Sequence, residues 1–174
     1  VTIKTILVSG NSSVLSSQIL EIANKELAGR YLGLFARNDS LIFPRFKIAR
    51  DILDQIKVVK AVDVSWIDWQ TIGIKIEERK PHSVWCGQDI KNPLPNCYFV
   101  DKTGYNFGPA PTFSGSLYIK DYWASLPPSL YGKIFSLIEA LDKRGIVVTA
   151  VSFDQIDFRF VLNTGQTIIF NDRE

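Results

Sequence analysis

Apolar residues recur along this chain in two rhythms, and the changes of rhythm mark its elements. Over residues 1–9 the alternation predicts a strand with Ile3, Ile6 and Leu7 as inward candidates, ended by the turn formers Gly10-Asn11-Ser12-Ser13. The period then lengthens: Ile19, Ile22, Ala23 and Leu27 fall on one face of a helix that Ser16 can cap and Gly29 can stop. After a mixed stretch to Ser40, Pro44 stands at a first helical position, and Ala49, Ile52, Leu53 and Ile56 predict a second helix. Alternation returns in Val58 to Ser65 (Val62, Val64) and Thr71 to Glu78 (Ile72, Ile74, Ile76), giving the order β-α-α-β-β.

Beyond Lys80-Pro81 the apolar runs shorten and Gly, Pro and Asn punctuate them. Ser83 to Cys86 and Cys97 to Asp101 predict a hairpin, followed by a turn over Asp101 to Gly104. One helix follows Pro127-Pro128, reaching Arg144, with Leu130, Ile134, Leu137, Ile138 and Leu141 as its core face. Three strands close the chain at Ile146 to Phe153, Asp157 to Leu162 and Gln166 to Phe170, the last two joined across Asn163-Thr164-Gly165. Pro81 removes a ladder donor and holds Lys80 extended, so the expected domains are 1–80 and 81–174. The fold class is α+β.

Eleven Phe, six Tyr and four Trp in 174 residues supply enough apolar surface for packed cores, which argues against disorder. Twenty basic against eighteen acidic residues, scattered evenly, leave a net charge of +2 and no basic face for nucleic acid. No apolar run reaches the roughly 18 residues of a membrane span. The chain contains no Met and opens directly on a strand, which predicts a fragment of a longer protein whose start, and a membrane anchor with it, lie outside.

Cys86 and Cys97 flank a loop rich in Gly, Asn and Pro, a spacing that suits a disulfide at the base of a hairpin and an oxidising compartment. The alternative is two free thiols in or near a core.

Catalytic chemistry needs converging acids, bases, nucleophiles or metal ligands, and this inventory is thin. The single histidine, His82, has no histidine partner at ligand spacing and reads as a surface or interdomain residue; with two cysteines it makes at most three zinc ligands. Gly104 to Gly108 lacks the lysine and helix of a phosphate loop. Glu77-Glu78 reads as solvated charge or an ion pair with Arg79, because adjacent strand residues point to opposite faces. Trp66, Trp69 and Trp85, without surrounding positive charge, are expected in core or interdomain contacts rather than in a stacking platform. The expectation is a non-catalytic protein with no metal, cofactor or small-molecule substrate.

Taken in order, Val62-x-Val64, Ile72-x-Ile74-x-Ile76-x-Glu78-Arg79-Lys80-Pro81-x-x-Val84-Trp85, then Val100-Asp101-x-x-Gly104-x-x-Phe107 and the closing Leu162-Asn163-x-Gly165 hairpin resemble the FtsQ/DivIB cell-division family across nearly the whole chain. The chain departs from it at Asp68-Trp69, where the family commonly has Trp-Pro, and at Leu117-Tyr118, where it often has Leu-Pro. The resemblance implies a POTRA domain at 1–80 and a mainly antiparallel β domain with one long helix at 81–174, possessed by a single-pass cell-membrane protein. Its transmembrane helix would precede this fragment, which would lie on the extracytoplasmic side.

It further implies a scaffold of septal cell-wall synthesis binding partners of the FtsB and FtsL type. In relatives the partner docks on a helix and edge strand after the strand matching Gln166 to Phe170, so part of that surface is expected to be missing here. The expected partner edge is Gln166, Thr167, Ile168, Ile169 and Phe170, since open sheet edges recruit extended polypeptides through main-chain hydrogen bonds. The competing expectation is a POTRA-bearing component of protein secretion or outer-membrane transport.

Overall fold

The computed structural model describes residues 1–112, 117–154 and 156–171. The chain forms two compact units, Val1–Arg79 and Lys80–Glu174, both of mixed α and β structure.

In the first unit, β1 (Thr5–Ser9) lies parallel to β5 (Thr71–Glu78), and β5 forms an antiparallel hairpin with β4 (Val59–Asp68), giving the order β1-β5-β4. Helices α1 (Ser16–Leu27) and α2 (Arg45–Gln55) supply Ile19, Ile22, Ile48 and Ile52 to one cluster with Ile72, Ile74 and Ile76 of β5. Strand alternation places those three isoleucines on the helix-covered face. Lys75 and the exposed Ser65 and Asp63 mark the uncovered one.

Several local readings shift. Leu7 is half-exposed, whereas Ile6 and Val8 pack on the core. The N–H groups of Lys4 and Thr5 both donate to the Gln70 carbonyl, and this doubling breaks the alternation between Ile3 and the strand. Ser16 is the first helical residue rather than the cap: Leu15 holds the cap position with no side-chain bond, while Asn11 Nδ2 donates to Ser16 Oγ at 3.0 Å. Pro44 precedes α2 in the cap position, and the buried face centres on Ile48 and Ile52. The mixed stretch holds a small hairpin, β2 (Arg30–Tyr31) with β3 (Phe35–Ala36).

The second unit is built on a seven-stranded sheet. Its strands are β6 (Ser83–Trp85), β7 (Tyr98–Val100), β8 (Asn106–Pro109), β9 (Ile119–Tyr122), β10 (Val148–Phe153), β11 (Asp157–Leu162) and β12 (Thr167–Asn171), in the order β12-β11-β10-β9-β6-β7-β8. The two pairs that involve β9 are parallel and the others antiparallel. Parallel neighbours need a crossover, and α3 (Pro128–Asp142) makes the one from β9 to β10.

Tyr131, Ile134, Phe135 and Ile138 of α3 pack on Val151, Phe158 and Phe160. Leu137, expected inside, is 38% exposed; Tyr131 and Phe135 occupy the face instead. The opposite face carries Val84, Cys86, Tyr122 and Ala150. Cys86 and Cys97 are disulfide-bonded with Cα atoms 4.3 Å apart. Among the described residues no helix is long and apolar enough to cross a membrane.

Candidate functional site

The last hairpin places Gln166 to Phe170 at the end of the large sheet, where, among the described residues, β12 has β11 on one side and no strand on the other. Gly165, at φ +83°, makes the turn, and the Leu162 N–H donates to the Gln166 carbonyl at 2.8 Å. That bond sets the phase of the ladder. With Val161 opposite Thr167, Phe160 opposite Ile168, Arg159 opposite Ile169 and Phe158 opposite Phe170, the alternation of an antiparallel pair turns the main-chain groups of Ile168 and Phe170 toward β11. Those of Thr167 and Ile169 point to the open edge.

The side chains divide in the same register. Ile168 packs on the helix-side cluster and the Phe170 ring stands edge-on to Phe160 with centroids 5.2 Å apart. Thr167 is exposed and Ile169 is 59% exposed. Of the five expected residues, two therefore offer both free main-chain groups and free side chains, while Gln166, Ile168 and Phe170 hold the strand in place. Arg159, beside Ile169, is tied to Asp154 at 2.7 Å.

The opposite end of the sheet is a poorer edge. Strand β8 is four residues long and ends in Pro109, which has no N–H to donate.

The polar groups singled out in the sequence take structural positions. Glu78 accepts from the N–H groups of Ser12, Ser13 and Val14 and from the Ser13 hydroxyl, and Glu77 pairs with Lys60 at 2.6 Å. His82 packs on Phe135 with ring centroids 4.6 Å apart, within the second unit. Trp85 donates its indole N–H to the Trp123 carbonyl at 3.0 Å. Trp66 and Trp69 lie outside the core of the first unit, 52% and 65% exposed, with Arg45 lining the same shallow groove as Phe43 and Trp66.

A buried polar group went unnoticed in the sequence. Asp121 of β9 is wholly buried; it contacts the Ser83 hydroxyl, which lies 2.9 Å from the Tyr131 hydroxyl on α3. Burial pushes the Asp121 carboxyl well above the usual carboxylate range against the opposing pull of the Ser83 hydrogen bond. The trio ties β6, β9 and α3 together. A cleft beside the disulfide, lined by Cys86, Leu94, Cys97, Tyr118, Lys120 and Tyr122, holds one ammonium and, among the described residues that line it, no carboxylate or imidazole.

No protein-family model matches this sequence, and no curated protein matches it.

Proposed function

We propose that this chain is a non-catalytic, extracytoplasmic scaffold that recruits a polypeptide along the open edge of β12. In this reading the first unit is a POTRA domain and the second an FtsQ/DivIB-type β domain. The partners are division proteins of the FtsB and FtsL type, and the role is support of septal cell-wall synthesis from a single-pass membrane anchor. The observation that carries the reading is the edge itself: Thr167 and Ile169 turn outward main-chain groups that no described strand pairs, together with exposed side chains, on a strand whose other side is held by β11. An incoming strand would gain main-chain hydrogen bonds there, with Ile169 as the side-chain contact.

The test is binding of the extracytoplasmic segments of FtsB- and FtsL-type proteins to the chain, compared with Thr167→Pro and Thr167→Val. Proline removes an outward N–H that β11 does not use, so the variant should fold normally by circular dichroism yet bind at least about tenfold more weakly; the valine variant should bind like the parent. A folded Thr167→Pro chain binding as tightly as the parent would place recognition elsewhere.

A further inference from the structure

Cys86 and Cys97 stand opposite one another one residue beyond the Trp85–Tyr98 pair of the β6–β7 ladder, with Cα atoms 4.3 Å apart. The strands themselves bring them together, since opposite residues of an antiparallel pair lie roughly 4.5–5.5 Å apart whether or not a bond joins them. The main chain at each cysteine is also held from its far side. The Cys86 N–H donates to the Asp121 carbonyl of β9 at 2.9 Å, and the Cys97 carbonyl accepts from the Ala110 N–H, just after β8, at 2.8 Å. Strand β6 lies between β7 and β9, and β7 between β6 and β8.

A disulfide stabilises most where it closes a long loop between parts that nothing else joins. This one spans a sequence separation of 11 between strands that are already paired. Breaking it therefore leaves the sheet in place and the two thiols side by side. What it does constrain is the loop over residues 87–96. Residues 91–96 are exposed. The loop folds back where the Leu94 N–H donates to the Cys86 carbonyl at 2.7 Å. Gly87, at φ +116°, lets Leu94 close over it: a Cβ there would stand 3.1 Å from Leu94 Cγ.

The two cysteines are not equally open to attack. Both line the cleft that Leu94, Tyr118 and Tyr122 share, yet Cys86 is 1% exposed while Cys97 is part-exposed. A thiolate arriving from solvent meets Cys97 first, and Cys86 becomes the leaving sulfur. The Val84 carbonyl oxygen lies 3.7 Å from Cys86 Sγ, in place to accept the S–H that reduction creates there.

We propose that Cys86–Cys97 is an exchangeable disulfide: a thioredoxin-like dithiol protein reduces it through Cys97, and reduction releases the 87–96 loop from the cleft wall. The thiolate of the dithiol attacks Cys97 Sγ; an intermolecular S–S bond forms, the Cys86–Cys97 bond breaks, and its electron pair leaves on Cys86 Sγ, which takes a proton. The second thiol of the reductant, as thiolate, then attacks its own partner sulfur in the mixed disulfide and frees Cys97. Two electrons and two protons pass from the dithiol, which ends as a disulfide, to the two cysteines. The site stands apart from the β12 edge, and either proposal can fail alone.

The test treats the oxidised chain, in native buffer, with thioredoxin, its reductase and NADPH, and counts thiols by alkylation and peptide mass. The expected result is reduction of the bond in the folded chain, with the circular dichroism of the parent retained. Amide exchange at Leu94 should become about tenfold faster or more, while the ladder amides of β6 and β7 stay slow. A thioredoxin without its resolving cysteine should be trapped as a mixed disulfide on Cys97. Cys86→Ala/Cys97→Ala should fold and exchange at Leu94 like the reduced parent; if it does not fold, the reduced parent decides. A bond that yields only after denaturant unfolds the chain would mark a purely structural staple and overturn the proposal. Trapping on Cys86, loss of the fold on reduction, or unchanged exchange at Leu94 would overturn it as well.

Discussion

Ser13, in the turn before α1, gives both its N–H and its hydroxyl to Glu78 at the end of β5, 65 residues away, at 2.9 and 2.6 Å. The same carboxylate takes the neighbouring N–H groups of Ser12 and Val14. A helix that lacks a side-chain cap thus has the turn before it anchored from a strand end. Partial burial pushes the Glu78 carboxyl upward, and the Ser13 hydroxyl with the three N–H groups outweighs it, leaving the pKa at about 2.

Glu78→Gln should therefore destabilise the first unit by about 1–2 kcal/mol at neutral pH. A depressed folded pKa contributes stability above the unfolded value and loses it as protons bind. The parent should weaken as pH falls from about 4.5 toward about 2, and Glu78→Gln should lack that component. Chemical denaturation at pH 7, 4 and 2.5 checks both.

Asp121 carries the opposite sign. Its folded carboxyl holds its proton above the usual range, so its contribution is complete below the unfolded value near 3.8 and is lost as pH rises toward the raised folded pKa. An amide resembles the protonated acid and can donate to Ser83 Oγ. Asp121→Asn should match the parent near pH 4 and exceed it by roughly 1–3 kcal/mol at pH 8. Urea titrations at the two pH values decide it; a variant weaker than the parent throughout would mean that the carboxylate is stabilising.

On α3, Ile138 is 4% and Leu137 38% exposed. Ile138→Ala should cost roughly 2–5 kcal/mol and Leu137→Ala less than about 1 kcal/mol, read from denaturant midpoints. Equal losses would rotate the helix from its described face.

What the sequence disclosed follows from the range of each interaction. Helix faces were legible because Ile19, Ile22, Ile134 and Ile138 repeat at helical spacing, and the pairing of Cys86 with Cys97 was legible because turn formers separate them. Strand β9 was not, since Ile-Lys-Asp-Tyr carries two charges and Asp121 is buried through partners 38 residues away or against α3. Glu78 was misread for the same reason: its partners lie across the sheet. Trp66 and Trp69 were expected in core or interdomain contacts because no cluster of positive charge surrounds them in the sequence; they sit beside the β4–β5 turn, outside the core of the first unit. The last strand was legible from its alternation and turn; that its far side is open depends on the strand order of the whole sheet.

The open side of β12 makes a prediction about folding that needs no partner. If Leu162 and Gln166 set the ladder phase, the Ile168 N–H belongs to β11 and the Ile169 N–H to solvent. Ile168→Pro would remove a ladder bond and a half-buried side chain from the helix-side cluster, and should cost about 3 kcal/mol or more. Ile169→Pro would remove only an outward donor, where edge strands tolerate proline, and should cost less than about 1.5 kcal/mol. Denaturant midpoints of the two variants, with amide exchange at Ile168 and Ile169 in the parent, measure the contrast. Slow exchange at Ile168 beside fast exchange at Ile169 is the expected pattern. The reverse would shift the ladder by one residue, close Thr167 and Ile169 to an incoming strand, and remove the basis for partner binding along this edge.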